Sequence, residues 1–234
     1  MTVPAQPRYG SLNLPLVQRW LSMAPPQDGP FLAVNLMRYR PLAQYADGRP
    51  TTLTGREADD IYTPLGPLAA VGGRIVLAAD VLEQPAGEPG FHRVAIVRYP
   101  TRSSFVEMER REDFQELHVH KDAGMEFTII LAAEPPAVAP APGRDDGALV
   151  LRLRRLAEDS PPPEDPAGLR VLLGMPAEGV IVGDERRWDE ARIELVQEGT
   201  PVASPSGAVE EEIVMTLGVL LDDLAAAAGP PPAS

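Results

Sequence analysis

The sequence contains no cysteine. Disulfide bonds, thiolate nucleophiles and cysteine-ligated zinc are therefore excluded. No apolar run approaches the roughly 18 residues that a transmembrane helix needs, and the first residues lack the charged and apolar regions of a signal peptide. We therefore expect a cytoplasmic protein. Aromatic residues make up only 5% of the chain, so its core must rely on Leu, Val, Ile and Ala.

Positive charge is also scarce, since 21 Lys and Arg face 34 Asp and Glu and give a formal net charge of −13. Phosphate binding needs clustered Lys and Arg, so a nucleic-acid partner is not expected. A basic patch for a membrane surface is excluded on the same ground. The motifs of dinucleotide-binding folds, P-loop proteins, zinc proteases and serine hydrolases are missing as well. The remaining expectation is a small-molecule ligand.

Proline clusters divide the 234 residues, because they cannot continue helices or central strands. The clearest cluster, "EPPAVAPAPG", lies near the middle of the chain. We expect an N-terminal helix and arm over 1–30, a first domain over 31–135 and a proline-rich linker over 136–147. A smaller second domain over 148–228 and a disordered tail over 229–234 complete the prediction.

The first domain has the pattern of a ferredoxin-like unit. Residues 31–39 alternate as a strand, with Phe31, Ala33, Asn35, Met37 and Tyr39 on one face and the even-numbered residues on the other. A helix interrupted by prolines follows, then two strands with a Gly/Pro-rich connection, a helix in two pieces, and a last strand over "EFTIILAA". The order β-α-β-β-α-β is that of the ferredoxin-like fold.

The second domain repeats this pattern in degraded form. We expect a strand over 148–156, a short helix in "DPAGLRVLLG", a hairpin, and a final helix in "GAVEEEIVMTLGVLLDDLAAAA", whose adjacent glutamates are typical of a helix start. The predicted fold is α+β: tandem ferredoxin-like units that pack as an intrachain α/β barrel. A homodimer would be the other way to cover the bare face of such a sheet.

Residues 72–131 resemble a family known as domain of unknown function 1330. The shared features are Gly72–Gly73–Arg74 at the start of a strand, Tyr99–Pro100 at the end of the next strand, and Asp113–Phe114–Gln115 in the second helix. The resemblance extends over about 31–134. It implies the dimeric α/β-barrel form of the ferredoxin-like fold, in a superfamily that includes cofactor-free oxygenases, isomerases, and haem-degrading and haem-binding enzymes.

The stretch "FQELHVHKDAG" holds two of the three histidines. In a helix, residues two apart point about 200° apart, so His118 and His120 could bind one metal ion only if the segment were extended. The spacing of Phe114, Leu117, His118 and Lys121 favours a helix. His118 would then face the sheet, either as a core-edge histidine or as a general base, and His120 would face outward.

Five further residues are candidates for binding a substrate. Asn35 is a polar residue in an otherwise apolar strand, and Tyr62 and Tyr99 could line a pocket with their phenols. Lys121 could bind an anion, and Arg38 could hold a carboxylate. Each also has an ordinary structural interpretation; for Arg38 and Arg98 it is a surface salt bridge to Glu107 or Glu109.

We therefore predict an enzyme that acts without an organic cofactor on a small organic acid or metabolite, with His118 as acid or base. The reaction could be isomerisation, cyclisation or cofactor-free oxygenation. The alternatives are a haem-binding protein with His118 as axial ligand, and a non-catalytic ligand-binding or interaction module.

Overall fold

A computed structural model of the chain describes residues 7–138, 147–158, 163–200, 202 and 208–228. The helices within these ranges are α1 (Leu14–Leu21), α2 (Gly55–Tyr62), α3 (Leu65–Ala70), α4 (Arg102–Glu109) and α5 (Glu112–Gly124). The strands are β1 (Ser11–Leu12), β2 (Phe31–Tyr39), β3 (Arg74–Ala86), β4 (Arg93–Tyr99), β5 (Met125–Ala133), β6 (Ala148–Leu156), β7 (Leu169–Gly183), β8 (Glu190–Val196) and β9 (Val209–Asp222). Short 3-10 turns lie at Pro25–Gln27 and Leu224–Ala226.

Strands β2 to β9 form a closed antiparallel barrel of eight strands. Their order is β7-β5-β2-β4-β3-β9-β6-β8, and β8 pairs back with β7 to close the sheet, while β1 adds to the edge of β7. The predicted fold class, tandem ferredoxin-like units packed as an intrachain dimeric α/β barrel, is therefore wrong. The two halves do not form separate sheets, because β7 pairs with β5 and β9 pairs with β3.

The second half differs from the prediction because two of its segments are strands, not helices. In β9, Ile213, Met215 and Leu217 recur at the two-residue period of a strand and point into the barrel. The adjacent glutamates that suggested a helix start belong to this strand. The segment "DPAGLRVLLG" likewise leads into the 15-residue strand β7, whose inward residues include Leu173 and Met175.

The barrel interior is filled by side chains, and the helices pack against the outer side of the barrel. Strand β2 shows why: its even-numbered residues Leu32, Val34 and Leu36 belong to the interior core. Its odd-numbered residues belong to a second core between the barrel and the helices, and this core includes Phe31, Ala33 and Met37. The predicted division of β2 into two faces is confirmed, and both faces are buried.

Several predictions fall where the chain is not described. Residues 139–146, most of the predicted linker, and 229–234, the predicted tail, lie outside the described residues. Among the described helices, none has the length and apolar character needed to cross a membrane.

Candidate active site

A cavity of about 150 Å³ lies between the outer face of β2 and β4 and the helices packed against it. A smaller cavity of about 40 Å³ borders it towards α1 and the N-terminal arm. The two cavities share the side chains Tyr62, Phe105, Glu109, Lys121 and Ile130. The two cavities therefore adjoin along a common wall, and together they are the candidate site. Its walls are largely apolar, and its polar groups come from α2, α4, α5, the arm and the strands β2 and β4.

Lys121 is the single lysine of the sequence and lies at the centre of this site. It is 5% exposed, on α5 one turn before Gly124. Helices α2 and α5 approach closely because Gly55 and Gly124 face each other: a Cβ on either would collide with the backbone oxygen of the other. This contact places the α2 residue Tyr62 beside Lys121, with Nζ 5.1 Å from the centroid of the phenol ring.

The ammonium of Lys121 is held by aromatic faces, not by an acceptor. Nζ lies 5.5 Å from the ring centroid of Tyr9, so two rings provide cation–π contacts. Within the described ranges, Nζ makes no hydrogen bond and no ion pair within 4 Å. A buried ammonium normally has a charged partner. Because Lys121 has none among the described residues and lies in a cavity wall, its three N–H donors are available to a ligand.

The carboxyl group of Glu109 faces the same cavities from α4. In the part of the chain that is described, it too makes no hydrogen bond and no ion pair within 4 Å. Burial raises the pKa of Glu109 to about 7, although the nearby Lys121 acts in the opposite direction. Burial likewise lowers the pKa of Lys121, against the opposing effects of Asp59 and Glu109. The two groups therefore face one space without neutralising each other through direct contact.

Asp59 is a second buried carboxyl group, and it has partners. The Tyr39 hydroxyl donates to its Oδ2 at 2.7 Å, and a guanidinium nitrogen of Arg93 lies 3.6 Å from the same oxygen. Arg93 is itself paired with Asp60 at 2.7 Å and with Asp80 at 3.2 Å. Burial raises the pKa of Asp59 even so. This carboxyl group is held in place and contributes negative charge beside Lys121.

His118 lies on the wall of the smaller cavity. Its Nε2 and the Tyr9 hydroxyl share a hydrogen bond of 2.8 Å. Burial, and next the charge of Lys121, lower the pKa of His118 to about 4, so the imidazole is neutral near pH 7. The predicted helix through this stretch is confirmed, and His120 lies away from the cavity with its Nδ1 2.6 Å from the Tyr45 hydroxyl. The two imidazoles thus contact different tyrosines on different sides of α5.

A haem does not fit the surroundings of His118. The imidazole Nε2 is engaged by the Tyr9 hydroxyl, and the adjoining space is only about 40 Å³. Ligands of drug size, which are smaller than a haem, occupy pockets of roughly 300–1,000 Å³. The expectation of a cofactor-free reaction stays a prediction.

Of the other predicted substrate-binding residues, two border the larger cavity and one does not. Asn35 lines it, with its amide donating to the Ala33 carbonyl at 3.0 Å. Tyr99 also lines it but stacks on Phe31 at 5.3 Å between ring centroids, and burial raises the pKa of its phenol. Arg38 lines neither cavity and pairs with Glu126 at 3.1 Å. Lys121, Tyr62 and His118 are brought together, whereas Arg38 lies apart.

The sequence contained a signal for Glu109 that the predictions missed. Phe105, Met108 and Glu109 lie at i, i+3 and i+4 in α4, so the carboxyl group shares a face with two buried apolar side chains. That pattern argues against the surface salt bridge expected for Glu109. Asp59 carried no comparable signal. It is followed by a second aspartate, Asp60, and the sequence does not indicate which of the two is buried and which is exposed.

A larger depression of about 460 Å³ lies at the ends of β6 and β8. Its walls are formed by small, apolar and amide side chains, with Glu198 as the one ionisable residue among those described. It offers no pair of acid and base, so the helix-side cavities are the stronger candidate for chemistry.

No family model and no curated protein matches the chain. Among solved structures, it is similar to the methylated RPA0582 protein at 31% identity, over 50% of this chain and 85% of that one, with a TM-score of 0.44. The RPA0582 protein of unknown function from Rhodopseudomonas palustris matches at 26% identity over 55% and 97%, with a TM-score of 0.47. A putative monooxygenase from Lactobacillus acidophilus matches at 9% identity over 82% and 94%, with a TM-score of 0.42. The resemblance to domain of unknown function 1330 stays a prediction.

Proposed function

We propose that the chain is an acid–base enzyme that removes a proton from carbon next to the carbonyl group of a small, mostly apolar molecule. The observation that carries this proposal is the pair Lys121 and Glu109. Both side chains face the same cavities, and neither makes a hydrogen bond or ion pair elsewhere in the described part of the chain. Proton removal of this kind is a first step of isomerisation and of cofactor-free oxygenation alike.

Glu109 is the proposed base. A general base works best when its pKa lies near the operating pH, and burial brings the pKa of this carboxyl group to about 7. A carboxylate in contact with an arginine would be a much weaker base, which is why the lack of an ion pair matters. Within the described residues, Asp59 is the other carboxyl group in the cavity wall, and Tyr39 and Arg93 occupy it.

Lys121 is the proposed stabiliser of the enolate oxygen. Negative charge develops on the carbonyl oxygen when the proton leaves, and a preorganised donor in a dry site stabilises it more than water does. The aromatic faces of Tyr9 and Tyr62 hold the ammonium without using its donors. The apolar wall, which includes Phe105 and Ile130, fits an apolar remainder of the substrate.

His118 has a positioning role in this proposal. The neutral imidazole of His118 shares a hydrogen bond with the Tyr9 hydroxyl and so orients the Tyr9 ring beneath the ammonium of Lys121. Asn35 borders the other end of the larger cavity, where its carbonyl oxygen could accept from a substrate hydroxyl.

The test is exchange of carbon-bound protons for deuterium in D₂O, followed by proton NMR, with 2-butanone, butanal and 2-oxobutanoate as probes. This assay detects proton removal without knowledge of the natural product. We expect the wild-type protein to accelerate exchange in at least one probe, and Glu109→Gln to lower that rate by about 10²-fold or more. Lys121→Met should lower it too, because the enolate loses its stabilising charge.

Glu107→Gln is the matched control, since Glu107 is exposed on the same helix two residues from Glu109. It should leave exchange unchanged. An equal rate in wild type and Glu109→Gln, at the same folded concentration, would refute the acid–base role. Saturable binding of a probe without exchange would favour the non-catalytic binding module.

A further inference from the structure

The amine of Lys121 is placed for covalent chemistry as well as for charge. Lys121 is only 5% exposed and faces both cavities. Among the described residues, none accepts a hydrogen bond from its Nζ. A buried lysine beside an unpaired carboxyl group has what a nucleophilic amine needs: an accessible nitrogen and a nearby acid. Burial also favours the neutral, nucleophilic form of the amine.

We propose that Lys121 forms a Schiff base with a small aldehyde or ketone bound in the helix-side cavity. This deepens the proposed function, on which it rests, because it names how the carbonyl group is activated. The carbonyl carbon would become part of an iminium ion that is a stronger electron sink than the free carbonyl, so removal of the neighbouring proton becomes easier.

The step balances with the groups in the cavity. The lone pair on Nζ attacks the carbonyl carbon, a C–N bond forms, and the C=O π electrons move to oxygen, which takes a proton from the Glu109 carboxyl. The Glu109 carboxylate takes the extra proton from nitrogen and then gives it to the hydroxyl, which leaves as water while the nitrogen lone pair forms the C=N bond of the iminium ion. Glu109, then ionised, can accept the proton from the adjacent carbon. No oxidant or reductant is consumed.

The surroundings of Nζ fit the iminium product as well as the ammonium. Both carry one positive charge, so the faces of Tyr62 and Tyr9, 5.1 Å and 5.5 Å from Nζ, remain favourable contacts. The carboxyl groups of Asp59 and Glu109 add electrostatic support, and Arg93 is engaged by Asp59, Asp60 and Asp80. No ion pair within the described chain has to break before Nζ reacts.

The experiment is reductive trapping with sodium cyanoborohydride and the same three probes near pH 7, read by mass spectrometry of the intact protein and of its peptides. Because Lys121 is the single lysine, a side-chain amine adduct can lie only there. Lys121→Arg removes the nucleophile and keeps a cation. Arg187→Lys adds an exposed reference amine, since the side chain of Arg187 is 73% exposed and lines neither cavity.

We expect at least one probe to be trapped on Lys121 at least tenfold more than on the lysine introduced by Arg187→Lys. Lys121→Arg should lose the adduct. Trapping at Lys121 that is absent, or no greater than on the reference lysine, would overturn the Schiff base. If deuterium exchange dependent on Glu109 persists in that case, the proposed function stands without it. If Lys121 is trapped but the rate of deuterium exchange is the same in Glu109→Gln and wild type, the Schiff base is supported and only the acid–base role of Glu109 is overturned.

Discussion

The raised pKa of Glu109 predicts a stability change that can be measured without a substrate. Replacing Glu109 by Gln keeps the shape of the side chain and removes the charge that its burial disfavours. In the folded protein the pKa rises from an ordinary 4.5 to about 7, so the folded state holds the proton more tightly than the unfolded state does. The stabilising contribution of this group is complete below about pH 4.5 and is lost as the pH rises through about 7.

The magnitude follows from these two values. Each pKa unit corresponds to about 1.4 kcal/mol, and the fully ionised group would cost about 3 kcal/mol. At about pH 5.5 part of this cost is present already, because the unfolded chain has lost its proton; between about pH 5.5 and 8.5 the wild-type protein should lose about 2 kcal/mol more from this residue. For a chain of this size, 1 kcal/mol is worth roughly 2–4 °C in Tm. The advantage of Glu109→Gln over wild type should therefore grow by about 4–8 °C between the two pH values.

Thermal unfolding followed by circular dichroism at both pH values measures this difference, with Glu107→Gln as the control that should show none. Repeating the comparison in a Lys121→Met background tests the cause. Lys121 opposes the rise in the pKa of Glu109, so its removal should enlarge the effect. A Tm difference between Glu109→Gln and wild type that is the same at both pH values would refute the conclusion that the partly buried Glu109 has no charged partner.

Two other substitutions test the barrel. Glu194 is 0% exposed and lies 3.1 Å from both Arg152 and Arg192. Glu194→Ala should therefore lower the free energy of unfolding by about 3–5 kcal/mol in urea titrations, and Glu194→Gln should lower it less. A loss under about 1 kcal/mol in Glu194→Ala would contradict the ion-pair assignment. Leu151 is 0% exposed in the barrel interior; Leu151→Ala should cost about 2–5 kcal/mol, whereas Val138→Ala, at a side chain 79% exposed, should cost little.

The sequence predicted the local structure of the first half better than the fold. The faces of β2 and of α5 were predicted correctly, although β2 is buried on both faces, because the positions of a few residues such as Asn35 and His118 follow from the geometry of a strand and of a helix. The closed barrel was missed because closure depends on long strands that pair at both ends with different partners. Strand β9 pairs with β3 and β6, and its adjacent glutamates suggested a helix start although Ile213, Met215 and Leu217 alternate as in a strand.

The candidate site was predictable only where its residues share one element. Tyr62 and Lys121 were identified singly, and Lys121 and His118 together as neighbours on one helix face. Their meeting with Glu109 depends on how α2, α4 and α5 pack, which no local pattern encodes. The Gly55–Gly124 contact that sets the distance between α2 and α5 reads in the sequence only as two ordinary helix-end glycines.

The second half of the chain contributes to the site by fixing the helices that carry it. Glu178 of β7 accepts hydrogen bonds from Trp20 of α1 at 2.7 Å and from Arg102 of α4 at 2.8 Å. Arg102 is the first residue of the helix that ends with Glu109, so this partly buried ion pair links the position of the proposed base to a strand from the other half. Since the barrel interior is packed with side chains, a ligand cavity can form only outside it. The added strands close the barrel, and Glu178 anchors two of the helices that, with the barrel wall, enclose the site.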